Sequence, residues 1–270
     1  MEHDGVVGKA QEAARETNDH PVVRAAARVG YAASGVIHLL IAWIALQVAM
    51  GGSKTSADQS SAMSTIAKAP WGASLLWILV VGFVGLALWQ LTEAIGGWHG
   101  SGKDAVFSRI KAVSKAVVYV ALGWTAATIA RGKSSNGATQ SAQTTGDILA
   151  LPGGKLLVIL IGLVVVGVGI YHIVKGLRKS FLQDLVDDPG DIAVTAGMIG
   201  YPAKGIALII VGGLFVLAGA SGRAAESQGR GGALALLIRQ PFGPWLLAAV
   251  AVGIGCYGLY SFFRARHTKV

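Results

Sequence analysis

The groups able to do chemistry inside the apolar stretches of this chain are few, and three of them share a depth. Glu93 is the one acid within six long apolar runs, near the end of the second, and Lys115 and Lys204 lie near the corresponding ends of the third and fifth. Charged side chains at membrane depth are costly and mark ion or substrate paths by default. Together the three would form an intramembrane ion cluster; equally, they could form a structural ion pair or let the lysines snorkel to the surface. A second, polar set is His38, about two turns inside the first run, Tyr119 in the third and His172 near the end of the fourth. A pair of histidines invites haem or a metal ion. His38 and His172 differ in depth, however, at a rise of ~1.5 Å per residue, and no further His or Cys at turn spacing completes a ligand set. No metal and no cofactor are therefore expected. The single cysteine, Cys256, permits no intramolecular disulfide. No nucleophile elbow, metalloprotease helix or kinase set is present, and the serines fall in loops without a histidine at their depth. No catalytic residue is expected, and the chain does not read as an enzyme.

The elements that must position these groups follow from composition. The 270 residues are 53% hydrophobic and only 14% charged, with a mean hydropathy of +0.57, where a soluble domain carries about 25% charged residues. Six apolar runs, near 30–50, 71–95, 112–130, 156–174, 198–220 and 245–263, each have the length that crosses a ~30 Å hydrocarbon core. Nothing in the first 28 residues has the pattern of a cleaved signal. Of the 23 Lys and Arg, 15 fall on the side that holds both termini and 8 on the other. That bias puts both termini in the cytoplasm and the chain in the bacterial inner membrane. It also accounts for the net charge of +9 without a nucleic-acid partner. The expected partners are membrane lipids and other membrane proteins.

The runs repeat. Pro70, Pro152 and Pro241 each precede an apolar span, with an aromatic 19 residues on (Trp89, Tyr171, Tyr260) and a charge 23 on (Glu93, Lys175, Arg264). The odd spans repeat too: a shift of 81 lays Arg28 on Arg109 and His38 on Tyr119, and a shift of 170 lays Gly30 and Tyr31 on Gly200 and Tyr201, and Ser34 on Lys204. The spacing predicts an all-α, polytopic membrane protein of six transmembrane helices. These form three parallel two-helix repeats about a pseudo-threefold axis along the membrane normal, each even helix opened by its proline. The divisions are a polar tail 1–20, repeat units 21–97, 98–178 and 179–266, and a single membrane domain overall. Gly162, Gly167, Gly169, Gly253, Gly255 and Gly258 follow no strand and read as packing faces. The acidic stretch from Asp184 to Asp191 reads as a solvated turn, and Trp98 as an interfacial residue. The short apolar ends 62–69 and 233–238 read as small helices that either lie on the outer surface or cap the bundle.

With its glycines opening the odd helices and prolines opening the even ones, the stretch from Pro21 to Arg264 resembles the bacterial membrane family called domain of unknown function 1206. That resemblance implies a threefold repeat crossing the membrane six times and implies no activity. Three functions remain open at this stage. The first is a non-enzymatic accessory or structural subunit that binds membrane proteins or lipids through glycine-rich faces. The second is a small transporter or channel with a path near Glu93, Lys115 and Lys204. The third is a haem- or metal-binding membrane protein using His38 or His172.

Overall fold

The structure is a computed structural model that describes residues 21–51, 57–96, 103–133, 135–186, 189–227 and 229–267. The tail 1–20, Trp98, His99, Asp187 and Asp188 lie outside the described residues. Every regular element among the described residues is helical: α1 (Pro21–Ala49), α2 (Gln59–Ala67), α3 (Gly72–Gly96), α4 (Lys103–Ala130), α5 (Gly137–Leu149), α6 (Gly154–Leu177), α7 (Asp191–Ser221), α8 (Gly229–Ile238) and α9 (Gly243–His267), with 3-10 turns at Ser180–Asp184 and Ala224–Glu226. Of these, α1, α3, α4, α6, α7 and α9 are long and apolar enough to cross a membrane. In hydrocarbon every backbone N–H and C=O must be satisfied within the segment, which a continuous helix achieves. Several helices outrun their apolar stretches. α4 begins at Lys103 and α7 at Asp191, because a polar turn in water extends a helix without having to be apolar.

The described residues fall into two compact units. One takes in the chain up to Ala33, Ile66–Lys133, and the chain from Arg264 onward; the other is Ser34–Thr65 with Ser134–Phe263.

The repeat is visible in the backbone. Each of the three repeats runs long helix, short helix, tight turn, long helix. In the turn, the glycine two residues after the proline donates its N–H to the carbonyl of the residue before the proline. These bonds are Gly72 to Ala69 (2.8 Å), Gly154 to Leu151 (2.9 Å) and Gly243 to Gln240 (2.8 Å). The prolines thus form the turns, and the even helices start two residues later than expected, at the glycines. Only glycine fits there, because a Cβ would strike the last turn of the preceding short helix, at the carbonyls of Ile66, Ile148 and Ile238. The middle turn residue differs among the copies. Gly153 takes a left-handed φ of 76° without steric cost, whereas Phe242 is forced to a left-handed φ of 60°.

Helix packing in the second unit is clearest between α6 and α7. Gly162, Gly169 and Gly176 on α6 recur every seven residues, as do Gly205, Gly212 and Gly219 on α7, and all six are buried. The helices run antiparallel, with Gly162 against Gly212 and Gly169 against Gly205. A Cβ on Gly162 would come within 2.7 Å of the Gly212 carbonyl, and one on Gly169 equally near that of Gly205. Small residues on a heptad let two backbones touch over a long seam, which substitutes for the hydrophobic drive that lipid removes, and the seven-residue period carries a left-handed crossing. Gly167 is different: it is exposed and has open space around its Cα, so it does not belong to the packing face expected of it.

The same contact recurs at symmetry-related positions. Gly35 on α1 meets Gly258 on α9, each Cβ position 3.0 Å from the other's carbonyl; these are the repeat counterparts of Gly205 and Gly169. In the first unit the counterparts on α3 and α4 are Ala87 and Ala116, both buried. Gly30 against Gly82 and Leu86 in the first unit likewise corresponds to Gly200 against Tyr257 in the second.

The short helices do not lie isolated on the surface. In the second unit Ala57, Asp58, Ser60, Ala62 and Met63 of the α2 region, Thr145 of α5, and Ala233 and Leu234 of α8 are buried. Asp58 caps α2, accepting from the Ser61 N–H at 2.8 Å, and its carboxylate also abuts Gly137 at the start of α5. Asn136 caps α5 through the N–H groups of Ala138 and Thr139. Of the two expected placements, a cap fits this burial.

Candidate functional site

The second unit gathers its polar chemistry at one level. His38 follows Ser34 by one helical turn on the buried stripe of α1, between Ile37 and Ile41. Its Nδ1 lies 2.7 Å from the Ser34 carbonyl. A carbonyl only accepts, so Nδ1 carries the proton and donates. Tyr257 of α9 lies against the imidazole, with ring centroids 4.8 Å apart, and the Lys204 ammonium of α7 sits over the same phenol ring, 3.9 Å from its centroid. A cation over an aromatic face is held by the ring quadrupole, more strongly where water is excluded. Beside this trio is a cavity of about 10 Å³, lined by His38, Ile41, Lys204, Ala207, Leu234 and Ile254, close to the space one water molecule needs. Leu234 comes from α8, so a short cap helix reaches the wall of a cavity that otherwise belongs to α1, α7 and α9.

One turn towards the start of α7 the trio joins an aromatic core. Tyr201 is packed against Tyr257 (5.3 Å), Tyr260 (5.4 Å) and Phe181 (5.3 Å), and the Tyr260 hydroxyl donates to the Phe181 carbonyl at 3.2 Å. Phe181 reaches this core because the chain after α6 turns inward as a 3-10 helix following Lys179, itself at a left-handed φ of 54°. The loop is closed by the buried Lys175, whose ammonium bonds the Asp184 carboxylate at 2.7 Å and lies 5.7 Å from the Tyr201 ring. Asp184 is thus the ion-pair partner of a buried lysine, not part of a solvated turn.

The expected sites now have places. His38 and Lys204 meet at Tyr257. His172 donates Nδ1–H to the Val168 carbonyl at 2.8 Å and packs on Tyr171 and Tyr201. Tyr119, in the first unit, stacks on Phe83. Glu93 and Lys115 are half-buried on α3 and α4 of the first unit, whereas Lys204 belongs to the second. Among the described residues no three His, Cys, Asp or Glu side chains come together as a metal site. The aromatic landmarks have diverged: Trp89 is buried edge-on to Tyr31, Tyr171 is exposed, and Tyr260 is fully buried. The closing charges keep one habit. Arg264 lies 4.5 Å from the ring of Tyr31 in the first unit, and Lys175 faces Tyr201, the repeat counterpart of Tyr31, in the second. Sequence reasoning missed Tyr257, Tyr201 and Phe181. Tyr201 was readable from its match to Tyr31; Tyr257 and Phe181 carry no local signal.

Comparison with known proteins agrees with the repeated architecture. No solved structure matches the chain. The chain is similar to the uncharacterized protein YxxB of Bacillus subtilis (strain 168), 27% identical over 251 residues that cover 90% of each chain. The profile of the family described as Domain of Unknown Function (DUF1206) matches three times, at residues 29–97, 110–179 and 199–268. With three matches that take in most of its length, each over one pair of long helices, this multi-pass membrane chain belongs to the DUF1206 family.

Proposed function

We propose that the protein is a non-enzymatic accessory subunit of the bacterial cytoplasmic membrane, with both termini in the cytoplasm, that binds other membrane proteins or lipids along its helix faces. The observation that carries this reading is α6. Its span is only 17% buried, and its outward side presents Leu156, Leu160, Leu163, Val164 and Tyr171 around the open glycine Gly167. A glycine left bare between large side chains makes a notch into which another helix can pack closely. The charged groups inside the second unit, meanwhile, are engaged in structure: Lys175 by Asp184, and Lys204 by Tyr257.

The test is purification from its own membrane in native nanodiscs, followed by mass spectrometry of what accompanies it. A stoichiometric protein that accompanies the natural chain and is lost from Gly167→Trp supports the reading. A lone protein carrying an enriched small solute overturns it and favours a second reading, a small transporter. The observation that favours that second reading is a lysine beside a cavity inside a span.

A further inference from the structure

Of the three short helices, α5 is the least anchored. Each of the three inserts one side chain seven residues ahead of its proline, Met63 in α2, Thr145 in α5 and Leu234 in α8, and all three are buried. In α2 and α8 that plug is a whole apolar side chain with a buried alanine beside it, Ala62 or Ala233. In α5, Thr145 is the one buried residue of 13, and a threonine methyl removes far less apolar surface from water than a methionine or a leucine. Thr139, Gln140, Gln143, Thr144 and Asp147 are exposed. The other neighbours of α5 are small: Gly146 lies beside Ala224, and Ser141 beside Gly229. A helix of about 12–15 residues is marginal on its own in water, so α5 depends on what holds its ends.

Its start is held by Asp58. That carboxylate is buried, and among the described residues no cation pairs with it. It faces two helix starts instead. Oδ1 accepts from the Ser61 N–H of α2 at 2.8 Å, and Oδ2 lies against Gly137, the first residue of α5, 3.2 Å from where a Cβ would sit. The first turn of a helix carries partial positive charge, which a carboxylate offsets. Left-handed glycines stand at both approaches to α5, Gly132 at φ 77° and Gly153 at φ 76°. We propose that α5 is a flap over one end of the second unit, latched by the Asp58 carboxylate and able to lift because its plug is a threonine. Segments with few buried apolar groups are the ones that open locally while the rest of a fold stays intact. The accessory role requires no such moving part.

Amide hydrogen exchange of the full chain in nanodiscs, read by mass spectrometry, tests the proposal. In the natural chain α5 should be about tenfold less protected than α8. Asp58→Asn keeps a side chain that caps α2 and removes the charge that faces α5. It should lower the protection of α5 about threefold and leave α8 unchanged. Thr145→Val keeps the shape of the plug and makes it apolar, and should raise the protection of α5 about threefold. A natural α5 as protected as α8, or one indifferent to Thr145→Val, overturns the flap. An Asp58→Asn chain in which α5 is unchanged, or in which α8 loosens as much as α5, overturns the latch. Should Asp58→Asn fail to fold, the natural chain and Thr145→Val decide.

Discussion

Phe242 shows what a single position of the repeat costs. The middle residue of its turn is left-handed, as Gly153 is in the second repeat, but here it is a phenylalanine at φ 60°, whereas Trp71 closes the same turn in the first repeat without a positive φ. A side chain in that conformation costs about 1–2 kcal/mol. The ring is 78% exposed, so it contributes no packing that offsets the strain within the protein. Phe242→Gly should therefore stabilise the chain in detergent by about 1 kcal/mol, read as a higher melting temperature. A lower one would show that the exposed ring contributes more than the backbone loses. The turn glycines, the prolines and the closing charges were all legible from spacing, because each is a fixed offset from the others. The partners of those charges were not. That Lys175 meets Asp184, and that Lys204 meets Tyr257, depends on where a 3-10 turn and a third helix bring side chains distant in sequence.

At the scale of elements, α6 carries its own internal control. Gly167 and Gly169 are two residues apart on one helix, yet Gly169 touches the backbone of α7 and Gly167 touches nothing. Gly169→Val should cost about 3 kcal/mol or more, as overpacking at a backbone contact does, and lower the yield of folded protein. Gly167→Val should stay within about 0.5 kcal/mol of the natural chain. Equal effects would contradict the seam. Glycine content alone marked these residues as packing positions; only the heptad, Gly162–Gly169–Gly176 against Gly205–Gly212–Gly219, separates those that pack from those that do not. The short helices were half legible. Residues 62–69 and 233–238 announced themselves by apolar content, and the helices there are Gln59–Ala67 and Gly229–Ile238. α5 did not, because GATQSAQTTGDIL is polar almost throughout and is held by its Asn136 cap and the one buried Thr145.

At the scale of the whole molecule, three family matches over three pairs of long helices make direction in the membrane a matter of one bit of information. If both termini are cytoplasmic, every Pro-X-Gly turn faces outward. With Cys256 replaced by Ala, a cysteine in place of Gln240 should react with a membrane-impermeant maleimide on intact cells. One in place of Lys179 should react only after the membrane is opened. The reverse pattern would invert the topology. Fold was the most legible level, since spans follow from composition and repeats from offset. The site was the least legible, since it joins His38 of the first repeat to Lys204 and Tyr257 of the third, a meeting that no fixed offset announces.

The glycine seam between α6 and α7 has a consequence for mechanics. A strip that repeats every seven residues on both helices matches itself again after a slide of one repeat, about 10 Å along the axis. Such a contact is like a ratchet with evenly spaced teeth: it favours certain offsets without choosing among them. The choice then falls to the connection at its end, where Lys175 grips Asp184, Tyr260 holds Phe181 and Gly176 takes up Pro202. The strength of the pair comes from the bare strip, and its alignment from a clasp of a few residues at one end.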